Sequence, residues 1–117
     1  MARRTDVVAL QARSNVYGMI AKITAVSGRR EQFIELLSNS TSKMPGCLSY
    51  IVAKDSTDEN MIWVTEVWDS AASHEASFSL PEVKSAISEA RSMVATFERI
   101  AITTPVGGVG IGSCSND

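Results

Sequence analysis

The chain has little of what most reactive sites are built from. His74 is the only histidine, and Cys47 and Cys114 are the only cysteines, in 117 residues. Two cysteines are too few for a disulfide scaffold and lack the spacing of a metal knuckle, so both are expected as reduced thiols. No cysteine or acidic residue stands at ligand spacing from His74 except the adjacent Glu75, so a zinc site of protein side chains is not expected either. Serines are abundant, but none sits in a nucleophile elbow with a base. Long apolar runs are also missing: nothing approaches the roughly 18 residues of a membrane helix, and Val7–Leu10 is too short for a secretory core segment. The expected compartment is the cytoplasm. A net charge of −2 creates no field for a nucleic acid or an anionic membrane, and neither is expected as a partner.

What is present is one domain's worth of patterned sequence. Residues 1–15 mix charges with a short apolar run and are set aside as an N-terminal extension with no assigned domain. The domain is expected over 16–111, with 112–117 as a flexible C-terminal tail. Val16 to Val26 is rich in β-branched residues and alternates, with Tyr17, Met19, Ala21, Ile23 and Ala25 on one face. Ser27-Gly28 offers a helix cap, and Phe33, Leu36, Leu37, Ser40 and Met44 recur at three-to-four spacing up to Pro45-Gly46. Cys47–Lys54 and Met61–Trp68 read as strands flanking a polar turn of hairpin length. Asp69-Ser70 caps a short helix running through Ser79, and Ser79-Leu80-Pro81-Glu82 fits a capping box for another. That second helix carries Val83, Ala86, Ile87, Ala90 and Val94 on one stripe, and Phe97–Thr104 reads as the last strand. The glycines from Gly107 to Gly112 follow this strand but open no helix and lack dinucleotide-binding spacing.

The order β-α-β-β-α-β, with its second helical region split in two, predicts an α+β ferredoxin-like sandwich: an antiparallel four-stranded sheet with helices on one face. In the third strand Ile62, Val64, Glu66 and Trp68 share one face, and Met61, Trp63, Thr65 and Val67 the other. Both faces carry large apolar groups, yet the helices of one small chain cover only one. A second copy of the chain is the simplest other cover.

Chemistry concentrates at the junction from Glu66 to Glu82. His74 can move a proton in either direction near neutral pH, and one turn later Phe78 lies on its side of the helix. The alternative is a half-exposed histidine filling space beside an aromatic. Trp68, which ends its strand, is by itself more often a core or interface anchor than a catalytic group. Glu66 shares its face and must be paired, hydrogen-bonded or protonated if it points inward, and a place at the sheet rim or opposite Arg99 is expected.

Pro45-Gly46-Cys47-Leu48-Ser49-Tyr50, Glu66-Val67-Trp68-Asp69-Ser70, His74, Leu80-Pro81-x-Val83 and Pro105-Val106-Gly107-Gly108 together resemble the antibiotic biosynthesis monooxygenase (ABM) family, in particular its quinol monooxygenase members. The similarity spans about Val16 to Ile111. It implies a dimeric α+β barrel, a homodimer in which two such sheets pack face to face. It also implies dioxygen chemistry on a quinol or polycyclic phenol without metal, flavin or other cofactor. Trp68 and His74 would then be catalytic, with Trp68 walling the ring and His74 accepting or orienting the phenolic proton. Met19, Ala21, Val64 and Phe78 would line the substrate site. Some members place an asparagine where this chain has Val64, which cannot hydrogen-bond. Haem-degrading relatives use an asparagine where this chain has Ala21 and a histidine that it lacks, so haem is not expected. Two alternatives stay open: a non-catalytic dimeric binding module, or an isomerase-type relative acting on a small signalling metabolite.

Overall fold

The computed structural model describes residues 15–110. The expectations for residues 1–14 and for the end of the tail lie outside that range. Seven elements follow in order: β1 Tyr17–Ala25, α1 Arg30–Ser40, β2 Cys47–Lys54, β3 Met61–Trp68, α2 Ala71–Ser77, α3 Pro81–Ala90 and β4 Val94–Thr103. The strands form one antiparallel sheet in the order β2-β3-β1-β4. This is the α+β ferredoxin-like sandwich that the element order predicts.

The alternation in β1 and β3 sets the layers. Register pairs Tyr17 with Trp68, Met19 with Glu66, Ala21 with Val64 and Ile23 with Ile62, so these side chains share the helix-facing side. Ile23, Phe33, Ile62, Val64 and Met93 form the buried core there. The opposite face has no helix: Ile51 is 56% exposed, and Lys22 lies 5.9 Å over the half-buried ring of Trp63.

The edge strand β4 is irregular in a way that matters to the site. Between the pairs Ile20–Ala101 and Ala21–Arg99 the register slips, leaving Ile100 unpaired as a β-bulge. The slip places Phe97 and Arg99 opposite Ile23 and Ala21, on the helix-facing side.

Five local expectations are corrected. Residues Ser27-Gly28 form a turn, with Gly28 at φ 80° and the Arg29 amide donating to the Val26 carbonyl at 2.9 Å, so α1 starts later, at Arg30, and has no side-chain cap. The helix also stops at Ser40, short of Met44, because the Ser40 and Thr41 hydroxyls donate to the Leu36 and Leu37 carbonyls at 2.7 and 2.6 Å. The short helix α2 does begin at a capped Ser70, whose Oγ accepts from the Ser73 amide at 3.1 Å, but it ends at Ser77 rather than Ser79. The Ser79–Glu82 capping box does not form: Leu80 is the N-cap of α3, with no side-chain cap bond, and Pro81 takes the first turn. Finally, Val94 belongs to β4 rather than to the α3 stripe. Its strand pairing with Ala25 overrides the helical period, and the turn before it is pinned by the Val26 amide donating to Met93 at 2.8 Å.

Candidate active site

Between sheet and helices lies a cavity of about 330 Å³. Its floor is the helix-facing side of β1 and β3, and its other walls come from α1, β2, α2, α3 and β4. It exists because the residues chosen for that floor alternate in size: Ala21 and Val64 sit side by side in the register, between Met19 with Glu66 and the larger Ile23 with Ile62. Two small neighbours leave a depression where two large ones would fill it. Met19, Ala21, Val64, Trp68, His74 and Phe78, the six residues singled out from sequence, all line it. Phe78, Phe97, Arg91 and Arg99 are lining residues that remain exposed, and they mark its mouth.

His74 is buried, not half-exposed as the alternative reading has it. It is 7% exposed and packed among three aromatic rings: Tyr17 tilted at 5.1 Å between centroids, Trp68 edge-on at 5.4 Å and Phe78 edge-on at 5.1 Å. Local sequence explains the placement. Ser70 caps α2, the His74 amide closes the first turn onto the Ser70 carbonyl at 3.3 Å, and the imidazole projects one turn in, back over the end of β3. The turn before β2 holds this helix start in place. Gly46 has φ 83°, a conformation that favours glycine, and a Cβ there would come within 2.5 Å of the Ser73 Oγ.

Glu66 corrects the expectation of a rim position. It is 7% exposed and lines the cavity, two residues before Trp68 on the same face. Its Oε1 accepts from the Trp68 Nε1–H at 2.9 Å and stands 3.8 Å from His74 Nε2. Nor does it meet Arg99 across neighbouring strands, since β1 lies between β3 and β4. Burial pushes the Glu66 carboxyl up from its ordinary value, against the indole hydrogen bond and the positive charges of His74 and Arg99.

Sequence reasoning missed Tyr50 as a wall residue. It sits opposite Glu66 in the β2–β3 register, so the alternation of β2 carried the signal once the hairpin pairing was known. Burial, and then the charges of Glu66 and Cys47, hold its phenol protonated well above the usual range. Cys47 is likewise shifted up by burial and by Glu66, which makes it a poor nucleophile at neutral pH. Among the described residues no three His, Cys, Asp or Glu side chains converge as a metal nest.

The chain is thus an α+β ferredoxin-like domain with a largely apolar cavity under its helices and a buried imidazole and carboxyl group on one wall. The sequence model of the family described as "Antibiotic biosynthesis monooxygenase" matches residues 16–89, and the chain belongs to that family. Among solved structures it is similar to a "putative Antibiotic biosynthesis monooxygenase" from Chloroflexus aurantiacus, at 51% identity and a TM-score of 0.79. That match covers 83% of this chain and 99% of the other. The fold is shared with SnoaB, a cofactor-independent oxygenase from Streptomyces nogalater, at 13% identity, a TM-score of 0.68 and coverage of 81% and 97%. It is shared too with a protein of the same description from Bacteroides thetaiotaomicron, at 19% identity, a TM-score of 0.72 and coverage of 83% and 95%. No curated protein matches the chain.

Proposed function

We propose that the protein is a monooxygenase that oxidises a quinol or polycyclic phenol with dioxygen and needs neither metal nor flavin. The observation that carries this reading is His74, a proton acceptor buried in a cavity walled mainly by apolar and aromatic side chains, with Glu66 beside it and Arg91 and Arg99 at the mouth. The cavity volume of about 330 Å³ falls within the usual range for small-molecule sites, roughly 300–1,000 Å³, and suits a fused-ring substrate. Trp68 and Phe78 offer ring surfaces, and Met19, Ala21 and Val64 form the flat sheet side against which a planar molecule lies.

The chemistry asked of the residues is limited. His74 takes the proton of the substrate hydroxyl, and the apolar walls keep water from solvating the resulting anion. The electron-rich anion passes one electron to dioxygen, and the radical pair combines at a ring carbon. One oxygen atom stays on that carbon. The other leaves as water with the two hydrogens the substrate gives up. The working unit in this reading is a homodimer through the open sheet face, where exposed Ile51 and half-buried Trp63 await a cover.

Oxygen uptake with a panel of reduced naphthoquinols and anthrones tests the reading. His74→Ala is expected to lower turnover about a hundredfold, the low end of what a general base supplies. An unchanged rate with a good substrate removes His74 from the mechanism. No uptake with any of the panel favours a binding module.

A further inference from the structure

Glu66 has no part in the scheme above, yet the fold spends a buried carboxylate on it. An ionised carboxylate out of water requires donors or a counter-charge. Among the described residues its one hydrogen-bond donor is the Trp68 indole, which binds the same oxygen, Oε1, that faces His74. Unless the carboxyl takes up a proton, the remaining compensation comes from a cation. Arg99 on β4 is exposed, so solvent screens it. His74 Nε2, at 3.8 Å, is the near one, and both side chains are 9% exposed.

Resting on the monooxygenase reading, we propose that Glu66 is a positioning residue that holds His74 in its reactive state. Trp68 pins the carboxylate, the carboxylate draws the Nε2–H tautomer of His74 toward itself, and Nδ1 is left as the basic nitrogen. Neither ring nitrogen has a hydrogen-bond partner closer than this among the described residues. In the step itself the O–H bond of the substrate breaks, an N–H bond forms at Nδ1, and no electrons change hands. The imidazolium so formed lies beside a fixed negative charge and against the faces and edges of three rings. Trp68 thereby acts twice, as a wall for the substrate and as the anchor of the carboxylate.

The other groups that bear on this pair do not substitute for it. From β1 comes Tyr17, packed on the imidazole, and from β2 come Tyr50 and Cys47, both held protonated by burial. From α3's C-terminal cap comes Arg91, exposed at the mouth, and Glu75 beside His74 on α2 is exposed as well. The stretch of α1 that lines the cavity contributes no ionisable group to it.

Because His74 is the only histidine, its titration can be followed by NMR in the full-length protein without assignment ambiguity. Glu66→Gln keeps the size and an acceptor for Trp68 while removing the charge. The His74 midpoint is expected to fall by about one pH unit, a tenfold loss of proton affinity, and the acid limb of the kcat/KM profile is expected to move down with it. A midpoint that stays within about 0.2 of a pH unit overturns the proposal. Should the variant fail to fold, the wild type answers instead: the Glu66 carboxyl carbon must shift at the His74 midpoint, and a flat trace there overturns the proposal. A moved midpoint with no oxygen uptake on any quinol or anthrone upholds the pairing and sinks the monooxygenase reading. Oxygen uptake with an unmoved midpoint sinks the pairing alone.

Discussion

The chain's two tryptophans make the same hydrogen bond in opposite surroundings. Trp63 Nε1 donates to Asp55 Oδ1 at 2.8 Å, and Trp68 Nε1 donates to Glu66 Oε1 at 2.9 Å. Asp55 stands on the β2–β3 hairpin, where its other oxygen also accepts from the Thr57 and Asp58 amides at 3.1 and 2.9 Å and from the Thr57 hydroxyl at 3.0 Å. Those donors, the indole first, hold its carboxyl far below the usual range. Glu66 has the indole and little else, deep under the helices, and burial drives it the other way. The indole bond therefore does not set the charge state. The number of donors and the access of water set it, so one carboxylate is held ionised at a turn while burial disfavours the charge of the other.

The contrast can be broken most forcefully at the rings. Trp68→Ala empties a side chain that is 1% exposed and is expected to cost about 3–5 kcal/mol in urea denaturation, whereas Trp63→Ala, at a half-buried ring, should cost roughly half as much. Similar losses at both sites would mean that the open face is as tightly packed as the covered one. A smaller effect with a telling sign comes from Glu66→Gln. A carboxyl whose folded pKa is raised stabilises fully below its unfolded value and loses that contribution as pH rises through the folded value. The variant should therefore be more stable than wild type at neutral pH, with the gain closing as pH falls below the ordinary 4.5. Asp55→Asn should show the reverse: less stable than wild type at neutral pH, with the gap closing as pH falls below the ordinary 3.8. Parallel pH trends in the two variants would show that burial does not separate the two carboxylates.

Much of this arrangement was legible in the residues because period and pairing agree. The hairpin strands Cys47–Lys54 and Met61–Trp68 follow from alternation alone, and the face shared by Val64, Glu66 and Trp68 follows with them. His74 and Phe78 could be set together because α2 is short and capped by Ser70. The rest depended on contacts between distant segments. No local pattern shows that Ser40 and Thr41 will end a helix by back-bonding, or that Val94 will leave a helical stripe to pair with Ala25. The bulge at Ile100 turns Phe97 and Arg99 toward the cavity, and it is set by pairing with β1. The sequence points to a rim position for Glu66 because its burial depends on how far α2 covers the end of the sheet.

Gly46 carries a consequence for how the chain tolerates changes of length. Its carbonyl accepts the Asp69 amide at 2.8 Å, and its missing side chain lets Ser73 come up against the backbone, so the turn before β2 and the start of α2 form one clasp. A residue inserted beside Gly46 would press on Ser73 and so displace the adjacent His74. The hairpin at residues 55–60 joins the opposite end of β3, away from that clasp, and can be lengthened without the imidazole sensing it. The molecule thus has one end remote from the histidine and one end where a single added residue misaligns it.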